Sequence, residues 1–289
     1  MYLRIIPKLD IKNQNLVKGV QLEGLRVLGD PKKYAENYYQ DGADEIIYHD
    51  VVASLYQRNN ISSLIKRTSE NVFLPMLVGG GINNKKQVEE ILRSGADRIF
   101  INTAALNNPK FINEIVNSFG SSTLVVSIEF VKVGSNYLCR KDFGREETNK
   151  DLISWAKEAQ DRGAGELILT SIDSDGTGKG FDLNVAELIS KNIKIPFILN
   201  GGISSLEHIN EVLNASNPSG LAIGSMLHYS GLDKNFFKTL LPEGNTEFIK
   251  KNKSYKNFGT LSIQDIKKSL VKKFKMELSS HAWRGYNRL

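Results

Sequence analysis

The sequence predicts a (β/α)8 barrel, a single α/β domain of eight parallel strands ringed by helices and built from two half-barrel repeats. Three observations predict it: eight short apolar runs, amphipathic stretches between them, and motifs that recur 121 residues apart. Parallel strands covered on both sides read as near-continuous apolar runs rather than as alternating ones. A barrel of this type takes about 250 residues, so a chain of 289 has room for one domain with an insertion and a tail.

The first apolar run is Leu3-Ile6, followed by a helical pattern over Pro31-Gln40. Glu45-His49 and Leu74-Val78 are strands, Lys85-Ser94 a helix, Arg98-Ile101 a strand and Pro109-Phe119 a helix. The second half runs through strand Leu124-Ile128, helix Asp151-Arg162, strands Glu166-Thr170 and Phe197-Leu199, helix Leu206-Asn214 and strand Leu221-Ile223. Strand-helix alternation with short Gly-containing joints argues for a parallel α/β fold, and eight units favour closure into a barrel. Gly42-Ala43-Asp44-Glu45 recurs as Gly95-Ala96-Asp97-Arg98 and Gly163-Ala164-Gly165-Glu166, each time just before a strand. Gly80-Gly81-Ile82 recurs as Gly201-Gly202-Ile203, 121 residues on, the same interval that separates Glu45 from Glu166. Two half-barrels of four units each produce that register. The expected domain spans residues 1–275, with 276–289 as a C-terminal tail.

Composition narrows the function classes. Hydrophobic residues make up 40% and charged residues 24%, ordinary for a globular domain with a sizeable core. From Leu232 to Leu289 there are 13 Lys and Arg against 5 Asp and Glu, a local balance of +8 that leaves −2 for the remainder of a chain whose net charge is +6. The basicity therefore belongs to one region and reads as a solvated helix face rather than a nucleic-acid surface. No run reaches the length of a membrane span, and the N-terminus lacks a secretory pattern. Cys139 is the only cysteine, which removes disulfide frameworks and cysteine-based zinc sites. A cytoplasmic protein with no cofactor and no metal is expected.

Active sites of such barrels sit where strand C-termini meet the following loops. Gly79-Gly80-Gly81 follows a strand and precedes a helix, so backbone N–H groups can approach an anion closely there. Asn102 and Thr103 end the next strand and can donate further hydrogen bonds. The other half offers Asp175-Gly176-Thr177, Gly202, Gly224 and Ser225 in the matching place, and Asp50 and Thr170 join this substrate-binding set. Two anion sites across one mouth imply a substrate phosphorylated at both ends. Asp10 ends the first strand and Glu129 the fifth, 119 residues later. Paired carboxylates at one mouth suit general acid/base work, one holding a proton while the other stays ionised. Lys18, after the first strand, can neutralise substrate charge. Arg4, Glu45, Arg98 and Glu166 each open a strand at the opposite end, where they can form a closed ring of ion pairs. Such a ring must pair every member to be tolerated, and it either plugs the barrel bottom or gates it.

Arg4-Ile5-Ile6-Pro7, Leu9-Asp10, Val17-Lys18-Gly19, Gly29-Asp30-Pro31, Val78-Gly79-Gly80-Gly81-Ile82, Ile101-Asn102-Thr103-Ala104-Ala105, Leu169-Thr170-Ser171-Ile172-Asp173 and Asp175-Gly176-Thr177 occur in order along the chain. In these stretches the chain resembles the cyclase subunit of imidazole glycerol phosphate synthase, over roughly residues 1–230 plus a last barrel helix near Ser262-Phe274. The resemblance implies an ammonia-dependent lyase of histidine biosynthesis, with Asp10 and the carboxylate ending strand five as its acid/base pair. It implies a glutaminase subunit docked at the barrel bottom near Asp97. Ammonia would pass the ring of Arg4, Glu45, Arg98 and Glu166 and attack a bisphosphorylated phosphoribulosyl aminoimidazole-carboxamide nucleotide. The products would be imidazole glycerol phosphate and aminoimidazole carboxamide ribotide.

The chain departs from the family pattern in several places, a tail Glu277-Leu289 past the family's usual end among them. Glu129 stands where the family has Asp, Lys8 where it has Cys, Asn200 where it has Ser, and Arg98 where it has Lys. The segment 231–259 is inserted between the last strand and the last helix, on the catalytic face. An added methylene moves the Glu129 carboxylate by about 1–1.5 Å, and a 1 Å misplacement can cost roughly 10²-fold in rate. These departures keep an alternative open, a paralogous ammonia-channelling barrel serving an amidotransferase that builds acetamidino groups on lipopolysaccharide sugars. A silent scaffold for the glutaminase and the related phosphoribosyl isomerase are further alternatives.

Overall fold

A computed structural model describes residues 3–53, 61–230, 258 and 260–274. Most of the segment 231–259, expected as an insertion, and the expected tail 276–289 lie outside the described residues. Twelve strands are present among the described residues: β1 Arg4–Lys12, β2 Asn15–Val20, β3 Glu23–Gly29, β4 Ile46–Asp50, β5 Met76–Gly79, β6 Arg98–Ile101, β7 Leu124–Val133, β8 Asn136–Lys141, β9 Glu146–Asp151, β10 Glu166–Ser171, β11 Phe197–Asn200 and β12 Gly220–Ile223. The helices are α1 Pro31–Gln40, α2 Ile61–Ser69, α3 Lys85–Arg93, α4 Thr103–Asn107, α5 Lys110–Phe119, α6 Leu152–Asp161, α7 Leu183–Asn192, α8 Leu206–Ala215, α9 Ser225–Ser230 and α10 Ile263–Phe274.

Eight of the strands pair in parallel around a closed circuit, β1-β4-β5-β6-β7-β10-β11-β12, with β12 returning to β1 through Arg4↔Gly220. The fold is the predicted (β/α)8 barrel. All eight predicted strands occur, with ends shifted by a few residues; β1 runs on to Lys12 and β7 to Val133. Those extensions carry two antiparallel additions that the apolar pattern did not indicate. The β1–β2 turn at Asn13, which takes φ +58°, folds β2 back so that Val17 faces Asp10 across the ladder. The extended β7 pairs β8, and β8 pairs β9. Lys18 therefore sits on a strand rather than in a loop.

Helix ends follow from local chemistry. Asp30 caps α1 by accepting from the Lys32 N–H at 3.0 Å, with Pro31 in the first turn. Asp151 caps α6 through Ser154 N–H, and Ser205 caps α8. At the far end of the chain, Lys267 Nζ on α10 bonds Asp44 Oδ1 at 2.7 Å and the Gly42 carbonyl at 2.6 Å. That contact ties the last helix to the bottom rim.

Residues two apart on a strand share a face, and the barrel interior is stacked accordingly. Ile6, Ile47, Leu77, Phe100, Val125, Ile168, Ile198 and Ala222, one from each barrel strand, form a closed apolar layer. Two residues below it lie Arg4, Glu45, Arg98 and Glu166. Arg4 Nη1 bonds Glu45 Oε2 at 2.6 Å and its Nη2 bonds Glu166. Arg98 bonds Glu45 Oε1 and Glu166 Oε2, each at 2.7 Å. Each glutamate bridges both arginines, so the ring is closed, and Ser219 adds a hydrogen bond to Glu166. Burial works against the Glu166 charge, but Arg4 and Arg98 outweigh it and hold the carboxyl below its usual range.

The Gly-Ala-Asp repeats belong to this rim. Asp44 Oδ2 accepts from Ile5 N–H and Asp97 Oδ2 from Met76 N–H, both at 2.8 Å. The third copy has Gly165 instead because a Cβ there would lie 2.1 Å from the Ser121 carbonyl oxygen.

Replacing Glu45 by Gln breaks one bridge and leaves two partly buried guanidiniums sharing a single carboxylate. Urea denaturation should show a loss of about 3 kcal/mol; a loss indistinguishable from a surface substitution would mean the ring does not act as a unit.

Candidate functional site

Above the ring and the apolar layer, the strand ends and the two β additions build the mouth. Asp10 on β1 is almost fully buried. Its Oδ1 bonds Lys8 Nζ at 2.5 Å and its Oδ2 lies 3.3 Å from Lys18 Nζ, which also bonds Asp175 Oδ1 at 2.5 Å. β2 folds back beside β1 with Val17 opposite Asp10, and that return brings the Lys18 ammonium within reach of the carboxylate. Burial opposes the charge on Asp10, yet the two ammoniums prevail and hold its carboxyl well below the usual range.

Glu129 has the opposite environment. Burial dominates and pushes its carboxyl up to about 7; the attraction of Lys8 and a 2.9 Å hydrogen bond from Gly144 N–H only partly offset this, and the negative charges of Asp10 and Asp175 add to it. The Gly144 contact comes from the turn between β8 and β9. There Asp142, Phe143 and Gly144 all take positive φ and fold the loop over the mouth.

On this side lies a cavity of about 260 Å³ bounded by Gly80, Gly81, Asn102, Thr103, Asp50 and Glu129, with His49, Asp142 and Phe143 closing it. Gly80 needs its lack of a side chain: at φ +113° a Cβ would meet the Asp50 carbonyl oxygen at 2.2 Å. On the other side Asp175, Gly176, Gly202, Gly224 and Ser225 line a much narrower cleft with Lys18 and Phe258. At Gly202, φ +85°, a Cβ would lie 2.0 Å from the Gly180 carbonyl oxygen. The two glycine clusters therefore stand at the same rim, on either side of the carboxylates.

Two expected residues stand back from these hollows. Thr170 is buried and accepts a hydrogen bond from Asn200 Nδ2 at 3.1 Å, and Thr177 turns its hydroxyl to the Ser174 carbonyl at 2.7 Å. Neither lines a hollow. Asp97 is exposed on the opposite rim. Sequence reading passed over His49, Phe143 and Gly144, and it recorded Lys8 only as a departure. Lys8 continues the inward period-two face of Arg4, Ile6 and Asp10, so its direction was available; the hairpin residues gave no local signal.

Among the described residues, four buried side-chain polar atoms lack a hydrogen-bond partner: His49 Nδ1, Asn102 Oδ1, Ser225 Oγ and Trp155 Nε1. Three of these belong to residues lining the mouth hollows. Buried polar groups are normally paired, so these three atoms leave hydrogen-bonding capacity facing the mouth. His49 Nδ1 is 3.6 Å from Asp10 Oδ1, beyond hydrogen-bonding distance, and burial lowers its pKa so that the ring is neutral at pH 7.

Comparison with known proteins gives a consistent picture. A model of the histidine biosynthesis protein family matches residues 4–233. The imidazole glycerol phosphate synthase subunit HisF of Legionella pneumophila is 51% identical over 209 residues, covering 72% of this chain and 99% of that relative. Subunits of the same name from two strains of Bacillus cereus are 42% and 41% identical over 245 residues, covering 84% of this chain and 97% of each relative. These names do not favour the surface-sugar alternative. No helix among the described residues is long and apolar enough to cross a membrane.

The raised pKa of Glu129 has a consequence for stability. Its folded value near 7 exceeds the ordinary 4.5, so stability falls as pH rises between these values and the ionised carboxylate costs about 3 kcal/mol above them. Glu129→Gln cannot ionise and should melt several degrees higher than the parent at pH 8, with the advantage gone at pH 4.5. Equal differences at both pH values would mean that Glu129 is ionised at little cost.

Proposed function

The chain belongs to the histidine biosynthesis protein family, and from that premise we propose that it acts as the ammonia-dependent cyclase subunit of an imidazole glycerol phosphate synthase. The observation that carries this reading is the pair of glycine cradles at one rim with Asp10 and Glu129 between them. A nucleotide with a phosphate at each end fits that span. One phosphate would take the backbone N–H groups at Gly80 and Gly81 with Asn102 and Thr103 nearby. The other would enter the cleft at Gly202, Gly224 and Ser225, where Phe258 must give way because the cleft is narrow.

Between the phosphates, ammonia attacks an electrophilic carbon of the substrate. A C–N bond forms, the displaced electron pair moves to oxygen, and that oxygen needs a proton. Glu129 is suited to supply it as a carboxylic acid, and its carboxylate can then take the surplus proton from nitrogen. Asp10 stays anionic and steadies the positive charge that nitrogen acquires during attack. Cleavage and ring closure then yield imidazole glycerol phosphate and aminoimidazole carboxamide ribotide.

Ammonia would come from a glutaminase subunit docked on the bottom rim around Asp97. The ring of Arg4, Glu45, Arg98 and Glu166 and the apolar layer above it would line the route upward. The apolar layer favours neutral ammonia over ammonium, since an unpaired cation is costly to desolvate. Because Asp97 also holds Met76 N–H, its replacement carries a structural cost. Glutaminase affinity should therefore be compared with melting temperature in the same variant.

The purified chain supplied with an ammonium salt and the bisphosphorylated nucleotide should consume the nucleotide, followed spectroscopically. Absence of turnover despite binding would overturn the assignment. With rates normalised to free ammonia, kcat should decline as pH rises through about 7, because Glu129 loses the proton it donates. Glu129→Gln should lower kcat by about 10²–10⁴-fold with a small effect on KM.

A further inference from the structure

Taking the cyclase reading as its basis, we propose that Lys8 is a positioning residue of this mouth: together with Lys18 it clamps Asp10 as a fixed anion and leaves Glu129 as the group that moves protons. The geometry of the buried cluster carries the proposal. Asp10 presents one oxygen to each ammonium, Lys8 Nζ at 2.5 Å on Oδ1 and Lys18 Nζ at 3.3 Å on Oδ2. Both lysines are more than nine-tenths buried, as is the carboxylate. Lys18 is shared with Asp175 at 2.5 Å.

Charge bookkeeping shows why Lys8 matters. With it, two ammoniums stand against the carboxylates of Asp10 and Asp175, and the buried set is neutral. Without it, one ammonium would serve two buried carboxylates, and desolvation would favour protonating one of them. The two histidines facing the cluster do not supply the missing cation. His49, from β4, is kept neutral by burial. His228, from α9, is held down to about 3 by burial and the nearby Lys18. Its ring is already committed, with Nδ1 2.6 Å from the Tyr38 hydroxyl and Nε2 3.0 Å from the Lys8 carbonyl oxygen. Glu129, from β7, is the remaining acid, and its only described hydrogen bond is the one from Gly144 N–H.

The Lys8 stem is fixed as firmly as its head. Lys8 lies on β1 in register with Ile47 of β4, directly above the apolar layer, and its carbonyl is anchored by His228. The ammonium therefore has little freedom to leave Asp10, and Asp10 little freedom to change rotamer. A carboxylate so held is a poor proton shuttle and a good electrostatic anchor, since it needs no reorganisation as charge develops beside it. The arrangement splits the two carboxylates into unequal roles by position, before any substrate arrives.

The test titrates the full-length protein by NMR with ¹³C-carboxyl-labelled Asp and Glu, the two signals assigned with Asp10→Asn and Glu129→Gln. In the parent protein Asp10 should keep the shift of an ionised carboxylate between pH 5 and 9, while Glu129 titrates in the neutral range. In Lys8→Met, close in size and uncharged, both midpoints should move upward and ammonium-driven kcat should fall roughly 10–10²-fold. Lys8→Arg should return the Asp10 signal to the ionised shift. The proposal is overturned if Asp10 titrates near neutrality in the parent, or if Lys8→Met moves neither midpoint. The parent titration decides even if a variant does not fold. Missing turnover in the parent would count against the cyclase reading alone, because the carboxyl titrations do not depend on catalysis.

Discussion

The structure depends on pairing charges that the closed barrel has taken out of water. An interior lined by one residue from each strand leaves no room to hydrate a charge, so every ionised side chain pointing inward must find a partner there. At the bottom this produces a ring in which two glutamates bridge two arginines. At the top it produces the Lys8–Asp10–Lys18–Asp175 chain. Between the two, a layer of aliphatic side chains with a single aromatic ring separates the charged levels and fills the barrel.

Glu129 is the exception to this pairing. It has one hydrogen bond and no ammonium in direct contact, so burial rather than pairing sets its proton affinity. Asp10, held by two lysines, is pushed the other way. Two carboxylates at one rim therefore differ in protonation at neutral pH for a reason that can be traced to named neighbours. Sites that need an acid and an anion side by side use this device.

The half-barrel symmetry is visible in the backbone more than in the side chains. Gly80 and Gly201, and Gly81 and Gly202, take matching positive φ values, because in each half the turn after the strand passes close to another loop's backbone. Asp44 and Asp97 each cap the bottom of the barrel strand before their own in the same manner, and Gly165 breaks the series only because a carbonyl oxygen crowds it. The additions differ. The β2–β3 ribbon supplies Lys18, and the β8–β9 turn supplies Gly144 and Phe143, so the two halves reach the shared mouth with unlike loops. Lys18 from the ribbon joins Lys8 of β1 in holding Asp10 anionic, whereas Glu129 is left to burial.

Much of this was legible from the chain alone. Apolar runs on both strand faces, glycine clusters 121 residues apart and the four charges opening strands determined the barrel, its internal repeat, the two glycine clusters at one rim and the membership of the ring. All of these follow from the period of a strand and from the backbone conformations open to glycine, which are local properties. Only the tertiary structure decided which ammonium meets which carboxylate, that the Thr170 and Thr177 hydroxyls engage Asn200 and Ser174, and that a hairpin tip covers Glu129. Those outcomes depend on the distance between side chains on different strands and on how far each is removed from water, and neither quantity is written in the order of residues.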